Sequence, residues 1–226
     1  MTTLITLPDR NSPGERDYIF AFLPDAQALE ARRADSQVVK IDLSKPKAQR
    51  QRQLLAAIEQ YQPDSWVWFG HGLRTSLPQL GIDTPAEIAA LAAALAANTT
   101  APVVALYSCS TAGGAEGGDG HLADLVRDAI VKCGAPGVRL FAHDRKGDTS
   151  RNPYVKVFAG PEEKPLNVGG KFVVQPGSLL WARWRCCDNH QSHHCPRKGV
   201  HGPLRLDFPW LTSAEIEARL EEEYAR

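Results

Sequence analysis

Two segments of this 226-residue chain place reactive side chains just past apolar runs. "SWVWFGHG" delivers His71 and then Gly72, and "VVALYSCSTAGG" delivers Cys109, between Ser108 and Ser110, into a glycine-rich stretch. A thiol becomes a strong nucleophile as its thiolate, and an imidazole that takes its proton is the common way to generate that ion. A glycine beside the histidine lets a substrate carbonyl approach the backbone, so the amides of Gly72 and Cys109 are candidate oxyanion donors. Gly113, Gly114, Gly117 and Gly118 leave the loop after Cys109 adaptable enough to admit a peptide. Taken singly, Cys109 reads as a small buried hydrophobe and His71 as a satisfied loop histidine. Taken together at successive strand ends, they point to nucleophilic catalysis.

That pairing requires the two runs to be strands of one sheet, and the rest of the chain supplies the context. "YIFAFL" (18–23) reads as a first strand, an edge strand closed by Pro24, after a polar stretch over residues 1–17. "QVVKIDL" follows as a strand, then "KPKAQRQRQLLAAIEQY" as a helix with Leu54, Leu55 and Ile58 inward. "SWVWF" is a continuous apolar strand, the pattern of a parallel sheet covered on both faces. A loop with Pro78, Gly81 and Pro85 leads to a helix over 86–97, capped by Asp83 or Thr84, with Glu87 placed as the far half of a capping box from Thr84. "APVVALYS" is the next strand. The helix in "GGDGHLADLVRDAIVKCGAP" turns Leu122, Leu125, Val126 and Ile130 inward and stops at Gly134, and the strand "GVRLFAH" follows. "YVKVFAG" and "KFVVQPG" read as a hairpin or sheet extension, and "LTSAEIEARLEEEYAR" as a C-terminal helix over 212–225. Strands alternating with helices predict an α/β fold, an αβα sandwich with a mainly parallel central sheet. Ligands of such sheets bind beyond the carboxyl ends of the strands, where His71 and Cys109 both fall.

An apolar strand ending in His-Gly, then a second ending in a small residue and Cys, resembles the caspase-like cysteine peptidases. That group includes caspases, metacaspases, legumains and gingipains, and the resemblance runs over roughly residues 35–160. It implies a caspase-like fold and a peptidase in which His71 is similar to the general base, Cys109 to the nucleophile and Gly72 to an oxyanion-hole residue. The chain departs from caspases proper, which carry Gln-Ala-Cys and a histidine about 50 residues upstream. Here the cysteine stands in "YSCST", 38 residues after the histidine. An α/β-hydrolase would carry its nucleophile first, on a G-x-S-x-G elbow, and its histidine last, so the chain order argues against it.

The whole chain reads as one domain, residues 1–226, with its core over about 18–175. Lys plus Arg and Asp plus Glu number 26 each, which leaves no global basic field for nucleic acid or anionic lipid. No window approaches the length of a membrane span and no export signal opens the chain, so a cytoplasmic location is expected. Five cysteines, an odd number, fit a reducing compartment. Cys133, beside Gly134, reads as simple packing. His121, at a helix start, reads as a cap or surface residue.

The expected activity is a cysteine endopeptidase acting on protein or peptide, with no cofactor required. Ser108 and Ser110 are candidates to orient the dyad or line the substrate pocket. Asp144 or Asp148, in the same pocket, would select a basic residue before the cut bond, whereas Arg145, Lys146 or Arg151 would select an acidic one. A Cys/His-rich segment over 181–203 holds ligand types that suit a structural zinc, with Cys187, His190, His194 and Cys195 forming the compact set. The adjacent Cys186 and Cys187 and the absence of C-x2-C argue instead for a polar loop that carries histidines. Two rival functions are a non-catalytic caspase-fold protein that binds a partner through its cleft or Cys/His-rich segment, and a thiol hydrolase of small esters. Oligomeric state is open.

Overall fold

A computed structural model of the chain describes residues 1–10, 19–113, 120–143, 155–160 and 171–172. In chain order the elements are β1 (Thr3–Pro8), α1 (Ile19–Arg32), β2 (Ser36–Ile41), α2 (Lys47–Tyr61), β3 (Ser65–Phe69), α3 (Pro85–Ala96), β4 (Val103–Tyr107), α4 (Leu122–Lys132), β5 (Arg139–His143), β6 (Val155–Ala159) and β7 (Lys171–Phe172). The seven strands form one α/β sheet in the order β2-β1-β3-β4-β5-β6-β7. β1 to β5 run parallel, and β6 and β7 are added antiparallel. The sheet is therefore mixed and mostly parallel.

Alternation along the strands divides the core into two layers. Leu4, Trp66, Trp68, Val104, Leu106 and Leu140 pack with the buried faces of α2, α3 and α4. Ile5, Leu7, Val67, Phe69, Ala105 and Tyr107 pack with Phe22, Ala26 and Leu29 of α1. Helices thus lie on both faces, and every residue of β3 and β4 is buried. From β1 the chain crosses to β2 on one side, and from β3 it crosses to β4 on the other. The connection direction reverses between β1 and β3, where open parallel sheets form their ligand crevice.

The first strand is not where the sequence placed it. Ile19–Leu23 of that run belong to α1, which runs through the exposed Pro24, and the strand is the preceding "TLITLP". A short apolar run does not distinguish a strand from a buried helix. Here "DAQALEARR" continues it with strong helix formers and brings Ala26 and Leu29 onto the face of Phe22. The threonines that make β1 look polar are buried and bonded. Thr6 Oγ1 accepts from Trp66 Nε1 at 2.9 Å and donates to the Val67 carbonyl at 3.1 Å, and Thr3 Oγ1 accepts from Arg33 Nε at 3.0 Å.

A second correction concerns α4, which buries Leu122, Ala123, Val126 and Ile130 but leaves Leu125 39% exposed. Leu125 lies on the opposite side of Leu122 from the arc formed by Val126 and Ile130, so it turns away from the sheet. Asp124 and Arg127 are buried instead, joined by a short ion pair, and Arg127 also bridges to Asp128 at 2.7 Å. In α2 the buried set is Leu54, Ala57 and Ile58, with Leu55 half-buried. Gly134 takes a φ of +93°, the left-handed turn that follows the end of α4. The segment 181–203 and the helix expected over 212–225 lie outside the described residues. Among the described residues, no helix is long and apolar enough to cross a membrane.

α3 begins as the sequence predicts. Thr84 Oγ1 accepts from the Glu87 amide at 3.4 Å, and Glu87 Oε2 accepts from the Asp83 and Thr84 amides at 2.9 Å each. Lys47 Nζ of α2 reaches Glu87 at 2.8 Å and Asp83 at 2.6 Å, tying the two helices together. Partial burial pushes the Glu87 carboxyl upward, but the bonds from Lys47, the Asp83 amide, Gln51 and Thr84 outweigh it and hold the group well below the usual carboxylate range. A lowered folded-state value means this stabilisation is complete above the ordinary value of 4.5 and is lost as the pH falls further. Denaturant unfolding of wild type and Glu87→Gln from pH 7 to pH 3 is expected to show the wild type more stable at pH 7, with the gap closing only below about pH 4.5.

Candidate active site

The site is set by the register of β3 and β4. Phe69 pairs with Tyr107 at the carboxyl ends of the two strands, so His71 and Cys109 each stand two residues beyond the same rung. Adjacent strands lie about 4.8 Å apart, which keeps both residues at one edge of the sheet. The ladder runs one residue further, where the Gly70 amide donates to the Tyr107 carbonyl at 3.4 Å. Both His71 and Cys109 are half-buried.

Beyond the strands the two loops touch directly. A Cβ built on Gly72 would lie 2.5 Å from Thr111 Cγ2 and 2.8 Å from both Cβ and Oγ of Ser108. Only a glycine lets the His71 loop settle against the Cys109 loop at this distance. Ser108 is buried against Gly72, and among the described residues its Oγ has no hydrogen-bond partner. Ser110 is half-buried with a φ of +58°, a left-handed conformation that costs a non-glycine residue about 1–2 kcal/mol. The turn around it is closed by Thr111 Oγ1 donating to the Ser108 carbonyl at 3.2 Å and by the Gly113 amide donating to the Ser110 carbonyl at 2.9 Å.

Three further elements anchor this turn. The Ala112 amide donates to the His143 carbonyl of β5 at 2.9 Å, and the Ala123 amide of α4 donates to the Thr111 carbonyl at 3.0 Å. Lys156 of β6, only 3% exposed, directs its ammonium to the Ala112 carbonyl at 3.5 Å. The His71 loop is tied to the same helix, since the Leu122 amide donates to the Arg74 carbonyl at 2.7 Å.

The imidazole lies on the α1 face of the sheet. Phe22 of α1 meets it edge-on, with ring centroids 5.2 Å apart at 85°. Beneath it Phe69 and Tyr107 stack at 4.7 Å and 6°, and Tyr107 meets the buried His143 at 5.9 Å and 75°. Burial, with the negative charge of Asp25 adding to it, pushes the Tyr107 phenol far above its ordinary range. The phenol is therefore neutral near neutral pH. On the other side, Gln79, 4% exposed, accepts the His71 amide through Oε1 at 2.8 Å.

Sequence pattern did not single out Gln79, Phe22 or Lys156. Each acts through a contact made by the fold, and a buried glutamine in the turn "LPQLG" leaves no periodic trace. His121 occupies the N-cap position of α4 without a side-chain capping bond. Cys133 is exposed at the C-cap of α4, so it is not the packed residue the sequence suggested. Asp144, Asp148, Arg145, Lys146 and Arg151 lie outside the described residues, as do Cys187, His190, His194 and Cys195. Among the described residues, no group of three or more His, Cys, Asp or Glu side chains could hold a metal ion.

Comparison with known proteins found no family model that matches the chain and no curated protein that matches its sequence. What the site can do is therefore argued from its residues.

The contact at Gly72 yields a prediction. Gly72→Ala is expected to cost about 1–3 kcal/mol of stability through overpacking. Adding Thr111→Ser, which removes the Cγ2 methyl nearest the new Cβ, should recover part of that loss, as a double-mutant cycle by urea unfolding would show.

Proposed function

We propose that the chain is a cysteine endopeptidase of the caspase-like type, with His71 and Cys109 as its catalytic pair. The observation that carries this reading is the level ending of β3 and β4, which brings the histidine and cysteine loops to one sheet edge with Gly72 seated against Ser108 and Thr111. The reversal of connection direction beside β3 adds support, because that is where such sheets take ligands.

In this reading His71 draws the proton from Cys109, and Sγ attacks the peptide carbonyl. The amides of Gly72 and Cys109 hold the resulting oxyanion. His71 then gives the proton to the departing amine, leaving an acyl group on sulfur. Water, activated by the same imidazole, releases the acid and restores the thiol. No metal or organic cofactor is required. The choice between a basic and an acidic residue before the cut bond rests on side chains over 144–151, and the proposal favours a basic one.

The test is cleavage of a proteome-derived peptide library by wild type and Cys109→Ala, with the new termini sequenced by mass spectrometry. The expected result is cuts made by the wild type alone, enriched in Lys or Arg before the bond. An untouched library, with partner capture succeeding equally for both proteins, would favour a non-catalytic binding protein instead. Cuts made equally by Cys109→Ala would assign the chemistry elsewhere.

A further inference from the structure

If the site works as proposed, the Gly72 amide must point at the spot where the oxyanion forms. A loop amide holds such a direction only if the chain is fixed on both sides of it. On the far side Gly72 is fixed by its seat against Ser108 and Thr111. On the near side the fixing group is Gln79.

Gln79 lies in the compact turn between β3 and α3. There the Leu77 amide donates to the Ile82 carbonyl at 2.8 Å, the Gly81 amide donates to the Leu77 carbonyl at 2.9 Å, and Gly81 takes a φ of +73°. The turn directs the buried Gln79 side chain back onto the strand end, where Oε1 accepts the His71 amide at 2.8 Å. The approach is close: a Cβ on Gly70 would stand 2.7 Å from the same oxygen and would also collide with the Trp68 ring. Gly70 thus admits the glutamine, and the glutamine holds the peptide plane that enters His71. Neither backbone dihedral of His71 can swing without breaking the Gln79 bond on one side or the Gly72 contact on the other.

We infer that Gln79 is a positioning residue, which through the His71 amide sets the direction of the Gly72 amide toward the developing oxyanion. The inference rests on the peptidase reading. It requires a hydrogen-bond acceptor at position 79. Glutamate supplies the same acceptor, whereas methionine fills similar space with only a weak one.

The test compares two reactions of the same thiol in the full chain. In acylation by p-nitrophenyl acetate, the bond from Cys109 Sγ to the acetyl carbon forms, the ester carbon–oxygen bond breaks and nitrophenolate leaves. The thiol proton passes to His71, and the path runs through a tetrahedral oxyanion. Alkylation by iodoacetamide displaces iodide at a saturated carbon and forms no oxyanion. Gln79→Met is therefore expected to slow acylation at Cys109 by about tenfold or more while alkylation stays within about threefold of wild type. Gln79→Glu should return acylation to within about threefold of wild type.

Equal acylation by wild type and Gln79→Met would overturn the role of Gln79 and leave the peptidase reading standing. Equal slowing of both reactions, not rescued by Gln79→Glu, would show that Gln79 only supports the fold. A wild-type Cys109 acylated no faster than the exposed Cys133 would overturn the peptidase reading and this inference with it.

Discussion

The candidate site depends on two parallel strands ending on the same rung. Phe69 and Tyr107 pair and stack their rings, and the chain leaves both strands at one level. Had the register of β3 and β4 shifted by one residue, one of the two reactive side chains would have been turned to the other face. The register is held by complete burial of both strands, with Trp66, Trp68, Val104 and Leu106 in one core layer and Val67, Phe69, Ala105 and Tyr107 in the other. The chemistry at the edge thus inherits its geometry from the hydrophobic pattern beneath it.

Backbone contacts then convert proximity of strands into contact of loops. Gly72 seats the His71 loop against Ser108 and Thr111, and this contact needs a residue without a side chain. The Cys109 turn is anchored to β5, β6 and α4, while the His71 loop is anchored to α4 and to Gln79. α4 therefore serves both loops, taking the Thr111 carbonyl through Ala123 and the Arg74 carbonyl through Leu122. The left-handed Ser110 within this frame is local strain that the surrounding bond network sustains.

Much of this was legible in the residues, because the physics involved is local or periodic. Continuous apolar runs identified β3 and β4, a capping box identified the start of α3, and a glycine marked the end of α4. The same apolar runs place His71 and Cys109 at strand ends, and so at one edge of the sheet. What the sequence hid was tertiary. "YIFAFL" looks the same whether it is a strand or the start of a helix, and β1 was masked by threonines whose hydroxyls are satisfied only by Trp66, Val67 and Arg33. Strand order, and with it the reversal beside β3, is not written in any single segment. Gln79 and Lys156 become visible only once the turn that carries the glutamine and the strand that carries the lysine pack against the strand ends.

Activation of Cys109 by His71, as proposed, can be tested directly within one molecule through the two described cysteines. Cys109 is half-buried and Cys133 is exposed, so exposure alone would make Cys133 the faster to alkylate. The measurement is the rate of iodoacetamide modification at each site at neutral pH, read by mass spectrometry in wild type and His71→Ala. The account predicts that Cys109 outpaces Cys133 in the wild type and loses that lead in the variant. A wild-type Cys109 that reacts no faster than Cys133, with a rate unmoved by His71→Ala, would contradict it.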